Sequence, residues 1–341
     1  MLYSIFRKCA CYTKKTIIFI VTAFFVCATC SGCTAKTPTP VSQSAFYLNT
    51  VITITLYDKS DPALIHECFE LCRRYEQEFS RTLEGSALYQ LNHDTAAKRQ
   101  LTKDLQSLIA TGLAYYERSD GLFDITVAPL SDLWQFSSNP SVPDATALSE
   151  ALKHVDASYL SLTGDTLHYE DPTVQLDLGG IAKGYIADRL KDYLVEQGVT
   201  SALIDLGGNI LCIGTKPDGS PFRVGIREPF APQGTSIAVA DVSDLSVVTS
   251  GIYERCFTEG DVLYHHLLDP RTGYPLHTGL NSVSIISKSS VDGDALSTVC
   301  FALGIEKGME LIHSMPDVYA VFVTENNELV YSEGAENFFT K

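Results

Sequence analysis

Residues 174–188 read VQLDLGGIAKGYIAD, an alternating apolar stretch that runs into two glycines and then into an amphipathic pattern. The alternation over Val174–Leu178 predicts a buried strand. From Ile181 onward apolar residues recur at helical spacing until Gly198, which predicts a helix with the glycines at its N-terminus. Free amides and the positive end of the helix dipole meet there, so the turn suits an anion, with Asp177 beside it. A tight turn that needs glycine only for steric reasons is the alternative.

This glycine turn has neither the spacing of a Walker loop nor that of the GxGxxG dinucleotide fingerprint. By itself it therefore indicates an anion or nucleotide site and no particular ligand.

The N-terminus has the layout of a signal peptide, with basic residues, an apolar run over 17–26 and small residues that end in Ser31-Gly32-Cys33. This ending resembles a bacterial lipobox, whose cysteine carries the lipid. We therefore expect a lipoprotein signal peptide over 1–32, lipidation of Cys33 and a flexible tether over 33–44. Cys30 stands where leucine is usual, which leaves an uncleaved membrane anchor as the alternative. Both interpretations place the rest of the chain outside the cytoplasm, and the first predicts lipid anchoring to the bacterial cell membrane.

Charge restricts the partners of the mature chain. Residues 1–32 contain four basic residues and no acidic ones, so their removal changes the formal net charge from −16 to −20. Nucleic acid and anionic membrane surfaces are poor partners for such a protein. An anionic ligand can bind such an acidic protein only where a helix N-terminus or a metal ion offsets the negative charge locally. The five cysteines after Cys33 show no zinc-binding spacing.

Residues 45–341 carry strand and helix patterns without a second linker or an internal repeat. Helices are expected after Asp61 and Thr102, over 181–198, from Asp292 and over 306–315. Alternating stretches predict strands at Val51–Tyr57, Ser201–Asp205, Arg223–Ile226, Ser236–Val242, Asn281–Ser287, Tyr319–Val323 and Glu328–Ser332. We expect an α+β fold of mixed, mainly antiparallel sheets with packed helices, forming one compact catalytic domain.

Two patterns point to functional side chains without settling their role. Asp124 lies among apolar neighbours and must be hydrogen-bonded or paired if it is buried, as a ligand contact or as a structural cap. His265 and His266 are adjacent on a predicted strand and so point to opposite faces. At most one of these histidines can serve a given site.

Asp294, Ser297 and Thr298 occupy positions i, i+3 and i+4 of a predicted helix, so they share one face. Magnesium takes oxygen ligands and commonly binds one or two carboxylates together with substrate phosphates. A helix cap with exposed hydroxyls is the alternative. On the metal-binding interpretation we expect the Asp294 carboxylate to face solvent.

Five stretches, in this order and spacing, resemble the ApbE family of FAD:protein FMN transferases, and together they cover essentially the whole mature domain. They are Gly121-Leu122-Phe123-Asp124-Ile125-Thr126, Asp177-Leu178-Gly179-Gly180-Ile181-Ala182-Lys183-Gly184, Thr249-Ser250-Gly251 with Tyr253-Glu254-Arg255, His266 with Asp269-Pro270-Arg271-Thr272-Gly273, and Asp294 with Ser297-Thr298. Any one stretch is weak, whereas the ordered set is highly specific.

The resemblance implies an ApbE-like catalytic domain and a set of site residues. It implies that Asp294, Thr298 and the Gly180 backbone carbonyl bind magnesium, with Ser297 at the same metal site, and that His266 is the base acting on the acceptor hydroxyl. The FAD contacts it implies are Leu122, Phe123, Asp124, Asp177, Lys183 and Leu268.

The implied reaction moves FMN from FAD onto a threonine of a membrane flavoprotein and releases AMP. The implied partners are FAD and the flavin-accepting subunits of Rnf or sodium-translocating NADH:quinone reductase complexes. A magnesium-dependent FAD pyrophosphatase and a non-catalytic FAD-binding lipoprotein are the alternatives. The intact His266, Asp294 and Thr298 argue against the second of these.

Two departures from the family pattern fall on the flavin side. Leu48-Asn49-Thr50 stands where Met-Gly-Thr is usual, and Thr82 stands where many members have a flavin-stacking tyrosine. Tyr89 or another aromatic residue is then expected to supply the stacking.

Overall fold

An eight-stranded antiparallel sheet forms the centre of the computed structural model, which describes residues 39–339. Its order is β1-β2-β6-β7-β10-β13-β14-β15. The strands are β1 Val41–Tyr47, β2 Thr50–Leu56, β6 Ser201–Leu206, β7 Ile210–Gly214, β10 Ser246–Gly251, β13 Leu280–Ser287, β14 Tyr319–Thr324 and β15 Leu329–Tyr331.

Three smaller sheets surround the central one. β3 (Lys98–Gln100), β5 (Thr166–Tyr169) and β4 (Leu160–Thr163) form a three-stranded sheet in that order. β8 (Phe222–Arg227) pairs with β9 (Ser236–Val242), and β11 (Cys256–Glu259) pairs with β12 (Val262–His265). All of these pairings are antiparallel, as the sequence predicts.

Seven α-helices are found among residues 39–339. They are α1 Pro62–Phe79, α2 Ala87–His93, α3 Lys103–Arg118, α4 Ala128–Trp134, α5 Ala145–Leu152, α6 Ala182–Glu196 and α7 Ser290–His313. The predicted starts of α1 and α3 are confirmed, because the Asp61 side chain accepts a hydrogen bond from the Ala63 amide and Thr102 accepts one from the Leu105 amide. Helix α7 begins two residues before the predicted Asp292, with Ser289 as its cap. Helix α7 joins two predicted helices at Gly304, whose φ of 74° interrupts the helical backbone.

The two faces of the central sheet are covered differently. The main core lies on the helical face, where α1, α3, α6 and α7 contribute residues such as Ile65, Leu108, Leu190 and Val299. A second apolar cluster lies between the sheet and the β8–β9 hairpin, with Cys212, Phe222 and Ile286 among its members. The α+β expectation is therefore confirmed, and α6 and α7 pack against each other over the sheet.

The strand predicted at Val174–Leu178 is wrong. These residues are extended, but they form no β ladder. The Asn92 side chain takes the place of a neighbouring strand, since its Nδ2 donates to Leu176 O at 2.9 Å and its Oδ1 accepts from Leu176 N at 2.8 Å. The Asp177 amide donates to Ile125 O at 2.8 Å.

The first described strand begins before residue 45, where the catalytic domain was expected to start. Strand β1 starts at Val41, inside the expected tether, because Val41–Tyr47 pairs along its whole length with β2. The expected signal peptide and the lipidation site Cys33 lie outside the described residues. Within residues 39–339 we find no helix that is both long and apolar enough to cross a membrane.

Candidate active site at the junction of helices α6 and α7

The N-terminus of α6 lies directly against the first turn of α7. A Cβ atom at Gly184 would lie 2.3 Å from the Ser290 carbonyl oxygen, so only glycine permits this approach of the two helices. The contact brings Asp294 of α7 under the start of α6, where its Oδ2 accepts a hydrogen bond from the Gly184 amide at 2.9 Å. Two stretches 110 residues apart thus form one site.

The glycine turn before α6 presents backbone amides. Gly179 donates to Asp177 Oδ1 at 2.9 Å, while Ile181 and Ala182 both donate to Leu178 O. In the described part of the chain, the amides of Gly180 and Lys183 have no protein acceptor. Together with the helix dipole, these two amides can hold an anion.

Asp294 is buried, with 5% of its surface exposed, which corrects the expectation that it faces solvent. Burial raises the pKa of Asp294 to about 6, while the charge of Lys183 and the bond from Gly184 oppose the rise. The carboxylate is therefore incompletely compensated by the protein, and a cation beside it would complete the compensation.

A cluster of hydroxyl groups continues the site from Asp294. Ser250 Oγ of β10 lies 2.7 Å from Ser297 Oγ and 2.9 Å from Thr298 Oγ1. Ser297 is fully buried and also donates to the Asp294 carbonyl oxygen at 2.8 Å, so it supports the cluster from inside. Thr298 is half-buried and more open. The sequence placed Thr249-Ser250-Gly251 in the motif set but did not predict that Ser250 joins the other two hydroxyls.

These oxygen atoms form the donor set available for a metal. Residues 39–339 contain no group of three or more His, Cys, Asp or Glu side chains that could hold a metal ion. A cation here would depend on the Asp294 carboxylate, the Thr298 hydroxyl and the Gly180 carbonyl, with substrate phosphates completing the shell, which is how magnesium commonly binds.

The two adjacent histidines have different surroundings, as the sequence predicts. His265 is 4% exposed, its Nε2 lies 3.1 Å from Leu276 O, and its ring packs edge-on against Phe301 at 6.0 Å. His266 is half-buried, and its Nδ1 has no partner in the described structure. Burial lowers the pKa of His266 to about 3, and the charges of Arg255 and Lys183 contribute to the fall, so its ring is neutral at pH 7.

Lys183 is the cation that connects these groups. Its charge acts on the carboxylates of Asp294 and Asp205 and on the ring of His266. It also lies in the first turn of α6, next to the glycine amides. The protein has a net charge of −16, but Lys183 and the glycine amides together create a local positive potential where an anion would bind.

The segment Leu122-Phe123-Asp124 packs against the glycine turn through Phe123. Phe123 is buried, and a Cβ atom at Gly180 would lie 3.2 Å from its ring. Asp124 is a structural cap, since Oδ1 accepts from the amide and hydroxyl of Thr126 and Oδ2 accepts from the Ala157 amide at 3.1 Å. Leu122 packs on the main core and Leu268 on a smaller cluster beside α4. Contact of these residues with FAD stays a prediction.

Asp177 is engaged by an arginine that the sequence interpretation missed. Its Oδ2 lies 3.0 Å from Arg81 Nε and 3.2 Å from Ser131 Oγ, and Arg81 also pairs with Asp132 at 2.6 Å. Arg81 directly follows Ser80, which caps the C-terminus of α1. A basic residue at a helix end in an acidic chain is the sequence feature that could have predicted an ion pair here. Arg81 holds the predicted FAD contact Asp177 in a fixed position.

On the flavin side of the site, Tyr89 stacks on His93 with ring centroids 4.0 Å apart. Stacking of Tyr89 or another aromatic residue on the flavin stays a prediction. Thr82 is exposed. Thr50 lies against Gly207, where a Cβ atom would be 2.0 Å from the threonine Oγ1.

Comparison with known proteins connects this geometry to a family. The sequence model of the ApbE family matches residues 48–322. The chain is 38% identical over 296 residues to an FAD:protein FMN transferase of Klebsiella pneumoniae, covering 85% of this chain and 91% of the relative. It is 36% identical over 314 residues to an FAD:protein FMN transferase of Treponema pallidum, covering 86% and 87%.

Solved structures agree with these sequence matches. The ApbE protein of Thermotoga maritima superposes with a TM-score of 0.81 at 30% identity, over 89% of this chain and all of that one. The flavin transferase ApbE of Vibrio cholerae superposes with a TM-score of 0.80 at 26% identity, over 88% and 99%. These matches argue against the alternative of a non-catalytic FAD-binding lipoprotein. The chain belongs to the ApbE family and is a transferase that moves FMN from FAD to a target protein.

Proposed function

We propose that this transfer depends on magnesium, that the acceptor is a threonine hydroxyl of the target protein, and that AMP is released. The observation that carries the proposal is the packing of the Asp294 carboxylate against the N-terminus of α6, at 2.9 Å from the Gly184 amide. This packing brings a metal-binding type of carboxylate and an anion-binding helix terminus into one site.

The residues present fit a magnesium ion. Asp294 is a buried carboxylate with only one of its oxygens hydrogen-bonded within residues 39–339, and Thr298 adds a half-buried hydroxyl. When bound, magnesium would stabilise the negative charge that develops on the leaving phosphate. Asp294, Thr298 and the Gly180 carbonyl would hold it, with Ser297 and Ser250 orienting Thr298.

The protein's own residues perform the remaining steps. The Gly180 and Lys183 amides and the Lys183 ammonium offset the charge of the FAD pyrophosphate. His266 takes the proton of the acceptor hydroxyl as the oxygen attacks the FMN phosphorus in line, and the bond to the AMP phosphate breaks. Placement of the pyrophosphate beside His266 opposes the effect of Lys183 and Arg255, and so raises the pKa of His266 toward neutrality.

The nucleophile that attacks the FMN phosphorus determines whether the reaction is transfer or hydrolysis. Water in place of the acceptor hydroxyl would convert FAD to FMN and AMP with the same residues. Purified protein is incubated with FAD, magnesium and an acceptor domain from a subunit of an Rnf or sodium-translocating NADH:quinone reductase complex. We expect a covalent FMN mass on one threonine of the acceptor and equimolar AMP. Free FMN with an unmodified acceptor would instead establish the pyrophosphatase.

The location of the reaction follows from the N-terminus. A lipid on Cys33 would hold the domain at the outer surface of the bacterial cell membrane, beside the membrane redox complexes that carry covalent flavin. The acidic composition supports this arrangement, since a mature chain with a formal net charge of −20 has little affinity of its own for an anionic membrane surface.

A further inference from the structure

The β11–β12 hairpin stands apart from the central sheet. Among the described strands, β11 and β12 pair only with each other, in the register Cys256↔His265, Phe257↔Tyr264, Thr258↔Leu263 and Glu259↔Val262. The ladder continues one step beyond the strands, since the His266 amide donates to Arg255 O at 3.1 Å. The hairpin therefore leads directly to the proposed base.

Alternation along the hairpin assigns His266 to a definite face. Paired residues of an antiparallel ladder share a face, and faces alternate along each strand. The Phe257–Tyr264 and Glu259–Val262 pairs thus lie on the same face as His266. The opposite face carries His265, which packs into the core against Phe301.

An aromatic cluster covers the hairpin on the His266 side. Phe257 stacks on Tyr264 at 5.4 Å, and Tyr264 lies 5.4 Å from the ring of the fully buried Trp134. Phe136 stacks on Trp134 at 5.4 Å and Tyr274 meets it edge-on at 5.8 Å. We call the exposed part of this surface the hairpin face, formed by Phe136, Phe257, Val262, Tyr264 and Tyr274.

The hairpin face is apolar and open to solvent. Val262 is 46% exposed and Tyr274 is 39% exposed, while Phe136, Phe257 and Tyr264 are half-buried. Its outer rim is acidic, with Glu259 and Asp261 both exposed at the hairpin turn. Contiguous apolar surface with a polar rim is typical of a protein-binding site.

We propose that the hairpin face docks the flavin-accepting protein through an apolar segment beside the acceptor hydroxyl, with a basic residue of that protein meeting Glu259 and Asp261. The proposal rests on the transfer mechanism above, in which a hydroxyl on a polypeptide must reach His266. A polypeptide at His266 has to cover the surface that adjoins it, and the hairpin face is an apolar, solvent-open surface on the same side of the hairpin.

Val262 allows a test that leaves the catalytic machinery intact. It lies at the exposed end of the face, so Val262→Asp and Val262→Lys remove apolar contact without opening the core. Val195 is the matched control, because it is 49% exposed on α6 and lies 13 residues after the first residue of that helix. At 1.5 Å per residue it is about 20 Å from the glycine turn.

Transfer is measured at saturating FAD with increasing concentrations of the acceptor domain named above. We expect both Val262 variants to raise the KM for the acceptor, by about tenfold through the loss of one important apolar contact. The rise should be larger for Lys than for Asp, because a lysine beside Glu259 and Asp261 repels the basic residue of the acceptor, and kcat and the FAD dissociation constant should stay within about twofold of wild type. Acceptor affinity, measured directly by calorimetry without FAD, should fall by the same factor. Val195→Asp and Val195→Lys should match the wild type in every measurement.

The outcomes separate docking from chemistry. If the wild type leaves the acceptor unmodified, the proposed function fails and the docking role fails with it. If the wild type transfers FMN and the Val262 variants behave like the Val195 variants, docking on this face is refuted while the function stands. A weaker affinity for FAD would reassign the face to flavin binding, and opposite effects of Asp and Lys would show charge steering in place of apolar docking.

Discussion

Asp294 of α7 accepts a hydrogen bond from the Gly184 amide of α6 at 2.9 Å, and Gly184 has no room for a side chain because Ser290 O lies against it. One contact thus fixes the distance between the two helices and the position of the carboxylate.

Asp294→Asn should preserve the fold and abolish most activity. The amide oxygen can still accept from Gly184, whereas the charge that would hold magnesium is lost. We expect turnover to fall by about 10²-fold or more, since a bound metal supplies several kcal/mol of transition-state stabilisation. Steady-state rates over a magnesium titration measure this. Asp292→Asn is the control, because Asp292 lies about 200° around the helix and bonds to Tyr115. Activity that is indifferent to Asp294→Asn and to chelator would leave the carboxylate as a structural group.

Gly184→Ala should destabilise the protein and reduce activity together. Alanine normally stabilises a helix by about 1 kcal/mol relative to glycine, but here its Cβ would lie 2.3 Å from the Ser290 carbonyl oxygen. The helices must separate, which moves Asp294 away from the glycine turn. Thermal unfolding and transfer rate are measured on the same preparation. A variant as stable and active as wild type would mean that the helices move apart without consequence for the site.

His266→Ala should bind FAD almost normally and lose transfer. Removal of a general base costs about 10²- to 10⁴-fold in rate, and the proposed FAD contacts are made by other residues. FAD titration and single-turnover transfer separate the two effects. Equal losses of FAD affinity and rate would assign His266 to binding.

His265 cannot serve as the neutral control that strand alternation alone would suggest. Its ring is buried against Phe301 and its Nε2 meets Leu276 O, so His265→Ala should lower the free energy of unfolding by about 1–3 kcal/mol. Below the unfolding temperature of the variant, its transfer rate should stay close to wild type.

His265 should also make stability depend on pH. Burial lowers the pKa of His265 to about 4 from 6.5, with the His277 charge adding to the fall, so the unfolded chain binds a proton that the folded protein does not. The contribution of His265 to the free energy of unfolding is therefore complete above pH 6.5 and is lost as pH falls toward 4. The loss amounts to about 3 kcal/mol at most. Denaturant unfolding between pH 4 and 7 should show a weaker pH dependence for His265→Gln, whose amide can still donate to Leu276 O. Identical slopes in the two proteins would contradict this.

Cys33→Ala should prevent lipid attachment. The prediction depends on the Ser31-Gly32-Cys33 ending, which precedes the described residues. Mass spectrometry of the mature N-terminus should find a lipid-modified Cys33 in wild type and an unprocessed precursor in the variant. Detection of an unmodified Cys33 in mature wild-type protein would refute the lipobox interpretation.

The sequence by itself determined four of the seven described helices (α1, α3, α6 and α7), most of the central strands and the family. The three short helices α2, α4 and α5 were not predicted. Helices α1 and α3 begin where Asp61 and Thr102 can cap them, because capping and apolar spacing depend on residues only a few positions apart. The ordered motif set likewise needs no knowledge of contacts, and the family that it indicated is confirmed by the family model and the relatives.

Tertiary structure alone decided the burial and the partners of these residues. The shared helical face of Asp294 and Thr298 follows from spacing, but the packing of α6 on that face does not, so Asp294 was wrongly expected to face solvent. The stretch Val174–Leu178 has the alternation of a strand, yet it pairs with the side chain of Asn92 because no strand lies beside it. Arg81 meets Asp177 across 96 residues of sequence. Periodicity and capping are encoded by near neighbours, whereas such contacts form only when distant segments are brought together by the packing of the whole core.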